Sequence, residues 1–211
     1  MGQKRKTHPF RFFLLLLLLG ICLWQGLPQL SRLLGGLRVQ ELSLVEVPEW
    51  VDAQIIPVDG GSRRGQQLKD IRNIVIHYVG NPGTTAQQNH DWYENPESEV
   101  SSHFLVGLEG EIIHCIPLDE YSSASNHRNS DTISIEVCHP DSSGKFNGKT
   151  YASLVRLTAW LLDVCHLDAE DVIRHYDITG KECPRYYVQN EDSWLSFLDE
   201  VARAVKENQE P

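Results

Sequence analysis

The sequence predicts an α/β domain, a mixed central β-sheet of about four to six strands flanked by helices. Three observations carry that expectation. First, β-branched runs at Ile71–Val79, Thr132–Cys138 and Val172–His175 read as strands. Second, Val100–Gly107 and Glu111–Ile116 are joined by Leu108, Glu109 and Gly110, which reads as a hairpin with a tight turn. Third, three helical patterns follow residues suited to capping: Thr84 or Thr85, Thr150, and Asp192 or Ser193.

In chain order, the first feature is a targeting signal. Lys4, Arg5, Lys6 and Arg11 precede an apolar run from Phe12 to Trp24 that extends to Leu27 if Gln25 is tolerated. A basic flank before such a run marks a signal-anchor or a cleaved signal peptide. The expected organisation is a basic cytoplasmic N-terminus over 1–11, an anchor or signal over 12–27, a juxtamembrane linker over 28–50 and the folded domain over 51–211. The domain is then extracytoplasmic, tethered by its N-terminal segment or secreted if the signal is cut. The first 40 residues hold six of the 19 Lys and Arg and none of the 29 Asp and Glu, leaving 13 bases against 29 acids beyond them. So acidic a domain excludes nucleic acid as its partner, because phosphate binding needs a basic footprint. Nothing in the pattern calls for self-association, and a monomer is expected.

Trp50–Leu68 is rich in turn formers and reads as an irregular lead-in. Ile71–Val79 is continuous enough to be a strand buried on both faces, with His77 near its carboxyl end. Asn81-Pro-Gly makes a turn, and a helix then runs to about Asn95, with His90 and Trp92 expected as packing and surface residues. Tyr121–Asn129 is small and polar, a loop beside any cleft at the strand ends. Thr132–Cys138 alternates Ile133, Ile135 and Val137 against Ser134, Glu136 and Cys138, two unlike faces of one strand. A Glu in mid-strand is costly unless it is paired or useful. Arg174 and Lys181 are its alternative ion-pair partners. Leu154, Leu157, Leu161 and Val164 form the apolar stripe of the next helix, with His166 as its C-terminal cap. Trp194, Phe197, Leu198, Val201 and Val205 form the stripe of the last. Of the five cysteines, Cys22 lies in the apolar run; Cys115, Cys138 and Cys165 allow at most one disulfide, Cys115–Cys138 being one pairing and buried free thiols the other reading.

The chemistry concentrates in Val172-Ile-Arg-His-Tyr-Asp-Ile-Thr-Gly-Lys-Glu-Cys-Pro184. His175 ends the apolar run and Cys183 returns after Gly180 has turned the chain, so an imidazole and a thiolate can converge. These are zinc-type ligands, and His77 at another strand end is the best third. Two His and one Cys leave a tetrahedral position open for water, the arrangement of a catalytic Zn2+ rather than a structural one.

Four stretches in order, Ile74-Val-Ile-His-Tyr78, Val100-Ser-Ser-His-Phe-Leu-Val106, Asn129-Ser-Asp-Thr-Ile-Ser-Ile-Glu136 and the His175–Pro184 segment, resemble the zinc-dependent N-acetylmuramoyl-L-alanine amidases of the phage-lysozyme and peptidoglycan-recognition type. The resemblance covers roughly Gln54 to Val205. It implies a peptidoglycan hydrolase that cuts the amide between the lactyl group of N-acetylmuramic acid and L-alanine. It implies His77, His175 and Cys183 as zinc ligands, Glu136 as the general base and Lys181 as a cation facing the developing oxyanion. His103, at the family's equivalent His position, is expected to line the cleft, and His127 and Asn129 to contact peptidoglycan or a muropeptide. Many members carry Tyr just before that His, where this chain has Ser102. The alternative function is a module that binds muropeptides without cutting them; such members usually lack the Cys ligand.

Overall fold

The computed structural model describes residues 38–58, 61–95 and 97–209. The expected basic terminus and apolar run, 1–11 and 12–27, lie outside the described residues, as does the linker up to residue 37. Among the described residues no helix is long and apolar enough to cross a membrane.

One mixed sheet contains six strands: β1 (Asp52–Ala53), β2 (Asn73–Tyr78), β3 (Phe104–Val106), β4 (Ile112–His114), β5 (Thr132–Val137) and β6 (Val172–Arg174). Their order across the sheet is β1-β4-β3-β5-β2-β6. β3 and β4 form the antiparallel hairpin, and every other neighbouring pair is parallel. The helices are α1 (Ala86–Glu94), α2 (Gly148–Cys165), α3 (His175–Thr179), α4 (Arg185–Gln189) and α5 (Glu191–Gln209).

The period of two sorts the strand residues onto two unequal faces. Ile74, Ile76, Phe104, Val106, Ile133, Ile135 and Val137 belong to the larger core, with Leu154, Leu157 and Leu161 of α2 and Phe197 and Val201 of α5. The other face has a smaller cluster, in which Leu105 and Ile113 meet Ala86 and Tyr93 of α1. His77 and Glu136 fall on this second face, next to each other in the β2–β5 register. A single short helix covers it. Polar groups at the strand ends therefore stay reachable from one side.

Helix α1 starts with a reciprocal capping box: the Gln88 N–H donates to Thr85 Oγ1, and the Thr85 N–H donates to Gln88 Oε1. Thr85→Ala is expected to cost about 1 kcal/mol, read as a fall in melting temperature with the cleft chemistry intact. Helix α2 is capped by Asn147, whose Oδ1 accepts from Lys149 N and Thr150 N, and not by Thr150. Thr150 sits inside the first turn and donates instead to the Gly107 carbonyl, tying α2 to the hairpin. His166 ends α2 in the left-handed conformation, φ 53°, as its C-cap.

The lead-in is less irregular than its turn formers suggest. Asp52 and Ala53 add β1 to the edge of the sheet beside β4. The domain also begins before residue 51. Val39 and Leu42 are buried in the larger core, Trp50 packs edge-on against Trp160, and Arg38 pairs with Asp70 at 2.9 Å. Cys115, Cys138, Cys165 and Cys183 are all free thiols and all buried.

Candidate metal centre and cleft

Three side chains remote in sequence meet at the carboxyl ends of β2 and β6. His77, His175 and Cys183 each offer a ligand atom, and these atoms lie within 4.8 Å of one another. His77 Nδ1 stands 3.9 Å from Cys183 Sγ. Two ligands of a tetrahedral zinc, at about 2.1 and 2.3 Å from it, are separated by about 3.6 Å, so the spacing suits a shared ion. The two imidazole rings are 4.6 Å apart between centroids.

Local folding explains the convergence. β2 carries His77 one residue before its end, and β6 hands the chain to α3 at His175. The segment from His175 to Thr179 is a helical turn. Gly180 ends it at φ 75°, the left-handed C-cap that glycine takes without strain. The chain then doubles back until the Tyr176 N–H donates to the Cys183 carbonyl at 2.9 Å, which fixes the thiol beside its own helix start.

The electrostatics favour a cation at this point. Burial holds the His77 imidazole well below its ordinary pKa, helped by His175 and Lys181. Burial, then Lys181, lowers His175 as well. Both rings are therefore neutral near pH 7 and present lone pairs. Burial and the Glu136 carboxylate push the Cys183 thiol up to about 12. A buried thiol beside a carboxylate is a poor arrangement without a positive charge and a good one with it. No fourth His, Cys, Asp or Glu joins the trio among the described residues, so the centre is open on one side. The donor set fits a divalent, borderline-soft metal.

Glu136 lies opposite His77 across the strand pair, its Oε1 3.9 Å from His77 Nδ1 and its side chain 21% exposed. Burial raises its carboxyl from 4.5 to about 7, with Lys181 acting in the opposite direction. Oε2 is buried without a hydrogen-bond partner. The suggested ion pair with Arg174 does not form: β-register sets Arg174 beside Ile76, on the other face, where it pairs with Asp177 and Glu191. Lys181 lines the cleft, bonded to neither.

The cleft has a volume of about 330 Å³, with His77, Glu136, His175 and Lys181 on its floor. Asn89, Trp92 and Tyr93 of α1 and Ser101 form much of its wall. Trp92, expected as a surface or packing residue, is 50% exposed and lines this opening. The spacing of Asn89, Trp92 and Tyr93, at i, i+3 and i+4, is the signal that places them on one helical face. His90 is a packing residue, its Nε2 2.7 Å from the Gln54 carbonyl oxygen.

Three expected substrate residues stand elsewhere. His103 is buried rather than in the cleft: the Ser134 N–H donates to its Nδ1, so Nε2–H donates to the Glu120 carbonyl at 2.8 Å. Burial drops its pKa to about 3, and it is a neutral bridge inside the fold. His127 lies in the exposed 3₁₀ turn Asn126–Arg128, outside the cleft lining. Asn129 is engaged in the loop, its Oδ1 accepting from the Ser125 N–H at 2.6 Å. The residue of this loop that reaches the centre is Asn126, with Oδ1 2.8 Å from His175 Nε2. No sequence pattern marks it.

Taken together, the fold and site define a class: an α/β domain with three side chains able to hold a metal, flanked by a half-buried carboxylate, at the ends of parallel strands. The family model described as N-acetylmuramoyl-L-alanine amidase matches residues 67–186, and the chain belongs to that family. The chain is 30% identical over 167 residues to the N-acetylmuramoyl-L-alanine amidase BlyA of Bacillus subtilis (strain 168), covering 69% of this chain and 45% of BlyA. With the amidase CwlH of the same organism it shares 27% identity over 159 residues, 72% of this chain and 61% of CwlH. It spans about half the length of the first of these relatives. Among solved structures, the catalytic domain of XlyA superposes with a TM-score of 0.63 at 28% identity, covering 72% of this chain and 98% of that one.

Proposed function

We propose that this chain is a zinc-dependent N-acetylmuramoyl-L-alanine amidase that hydrolyses the lactyl–L-alanine amide of peptidoglycan or a muropeptide. The observation that carries the reading is the meeting of His77, His175 and Cys183, with both imidazoles lining one cleft together with Glu136. Zinc held by the trio supplies Lewis acidity toward the scissile carbonyl and lowers the pKa of water to about 7. The rest falls to side chains. Glu136 accepts the proton of the attacking water and delivers it to the amide nitrogen as the C–N bond breaks, yielding a lactyl carboxylate and a free L-alanine amine. A carboxyl that titrates near neutrality is suited to both transfers. Lys181 places its positive charge toward the oxygen of the carbonyl under attack.

A module that binds muropeptides without cutting them needs neither the Cys ligand nor a carboxylate beside it with one buried oxygen lacking a hydrogen-bond partner, and this chain has both. The basic flank and apolar run over 1–27 support an extracytoplasmic domain tethered to the membrane, and we propose that it acts as a monomer. The test is to incubate the purified protein with peptidoglycan of diaminopimelate and of lysine type and assay new L-alanine amino termini, with zinc counted by mass spectrometry. One zinc per chain with released termini is the expected result. One zinc with no termini from either wall would favour the binding module instead.

A further inference from the structure

We infer that Asn126 is a positioning residue for His175: it fixes which imidazole nitrogen is left to face the metal. This rests on the zinc-centre reading above and extends it to a residue outside the ligand trio. Asn126 Oδ1 lies 2.8 Å from His175 Nε2, so Nε2 carries the proton and donates, and Nδ1 keeps its lone pair for the ion.

The backbone around Asn126 is arranged to hold this contact. Asn126 has φ 54°, one of two non-glycine residues at positive φ among the described residues. Asn tolerates the left-handed region better than most residues, and a strained conformation persists only where its surroundings enforce it. Here they do. The Ser125 N–H donates to Asn129 Oδ1 at 2.6 Å, and the Arg128 and Asn129 N–H groups donate to the Ser125 and Asn126 carbonyls. The turn is moored to the sheet by Arg128, whose guanidinium donates to Asn73 Oδ1 at 2.7 Å, at the start of the strand that carries His77. Asn129 therefore acts one step back from the centre. It clips the turn whose strained residue orients the ligand.

The test compares zinc affinity, by competition with a chromophoric chelator, in the wild-type protein, Asn126→Gly and Asn126→Asp. Glycine keeps the left-handed backbone and removes the amide; aspartate restores an acceptor. Loss of such a partner to a metal-bound His typically costs 10–100-fold in affinity. Asn126→Gly is expected to bind zinc about 10-fold more weakly or worse, and Asn126→Asp within a few-fold of wild type. In the wild-type protein, long-range ¹⁵N–¹H NMR is expected to show His175 protonated at Nε2, with and without zinc. Wild-type affinity in Asn126→Gly, or a His175 proton on Nδ1, overturns the inference even where the protein binds zinc and cuts peptidoglycan. A wild-type protein that binds no zinc overturns the zinc-centre reading instead.

Discussion

Glu136→Gln is expected to lower amide hydrolysis by about 10²–10⁴-fold while zinc stays bound, because a neutral amide can neither take nor return the proton. Bound zinc measured by mass spectrometry and released L-alanine termini together check this. Activity within 10-fold of wild type would remove Glu136 from the reaction. The same substitution has a stability signature of known sign. In the metal-free protein the folded carboxyl ionises near 7 and the ordinary one near 4.5. The unfolded state therefore releases its proton first as pH rises. Stability owed to the protonated carboxyl is fully present below about 4.5, falls through the interval and is lost above about 7. The shift corresponds to at most about 3 kcal/mol, and the side chain is only 21% exposed, so little is screened away. Metal-free Glu136→Gln should match wild type at pH 4.5 and be more stable at pH 8, by denaturant titration. His77, His175 and Cys183 are common to both proteins, so the difference reports Glu136 together with its coupling to them.

Cys183→Ala has the other large expected effect. It removes one of three ligands and should abolish stoichiometric zinc binding at micromolar metal. Hydrolysis should fall by about 10³-fold or more, equivalent to about 4 kcal/mol of barrier. A thermal readout separates metal loss from misfolding. A ligand at 1,000 times its dissociation constant stabilises the folded state by about 4 kcal/mol. Wild type should therefore melt higher with zinc than with chelator, and Cys183→Ala should melt at one temperature in both. A variant that keeps its zinc-dependent shift would exclude Cys183 from the centre.

Much of this was legible from residue order alone, and the physical reason is local. Strands announce themselves by runs and alternation, so β2, β5 and the hairpin could be read directly, and with them the ends at which His77 and Glu136 sit. Cap chemistry narrowed the start of α1 to Thr84 or Thr85, of which Thr85 is the cap, but misplaced that of α2, because Asn147 and Thr150 both suit a helix start and only packing chose between them. β1 escaped notice because its two residues owe their conformation to β4 and not to their own propensity. His103 shows the converse difficulty. Its motif position pointed to the cleft, but whether an imidazole faces solvent or a buried carbonyl depends on Ser134 and Glu120, which arrive from distant parts of the chain. Asn126 was invisible for a related reason. Its value lies in a left-handed backbone angle and a partner 49 residues away, and neither leaves a mark on composition.

The unequal faces of the sheet separate what this protein does from what it does it to. His77 and the Glu136 carboxylate are borne by hydrogen-bonded neighbours, β2 and β5, and His175 and Cys183 follow directly from β6, all backed by the larger core. The rim, by contrast, comes from α1 and from connecting loops. Trp92, half exposed on α1, can be exchanged without shifting a strand. On the proposed function, grafting is thus a practical route to altered wall preference: a new rim would change which peptidoglycan enters and leave the residues proposed to break the bond as they stand.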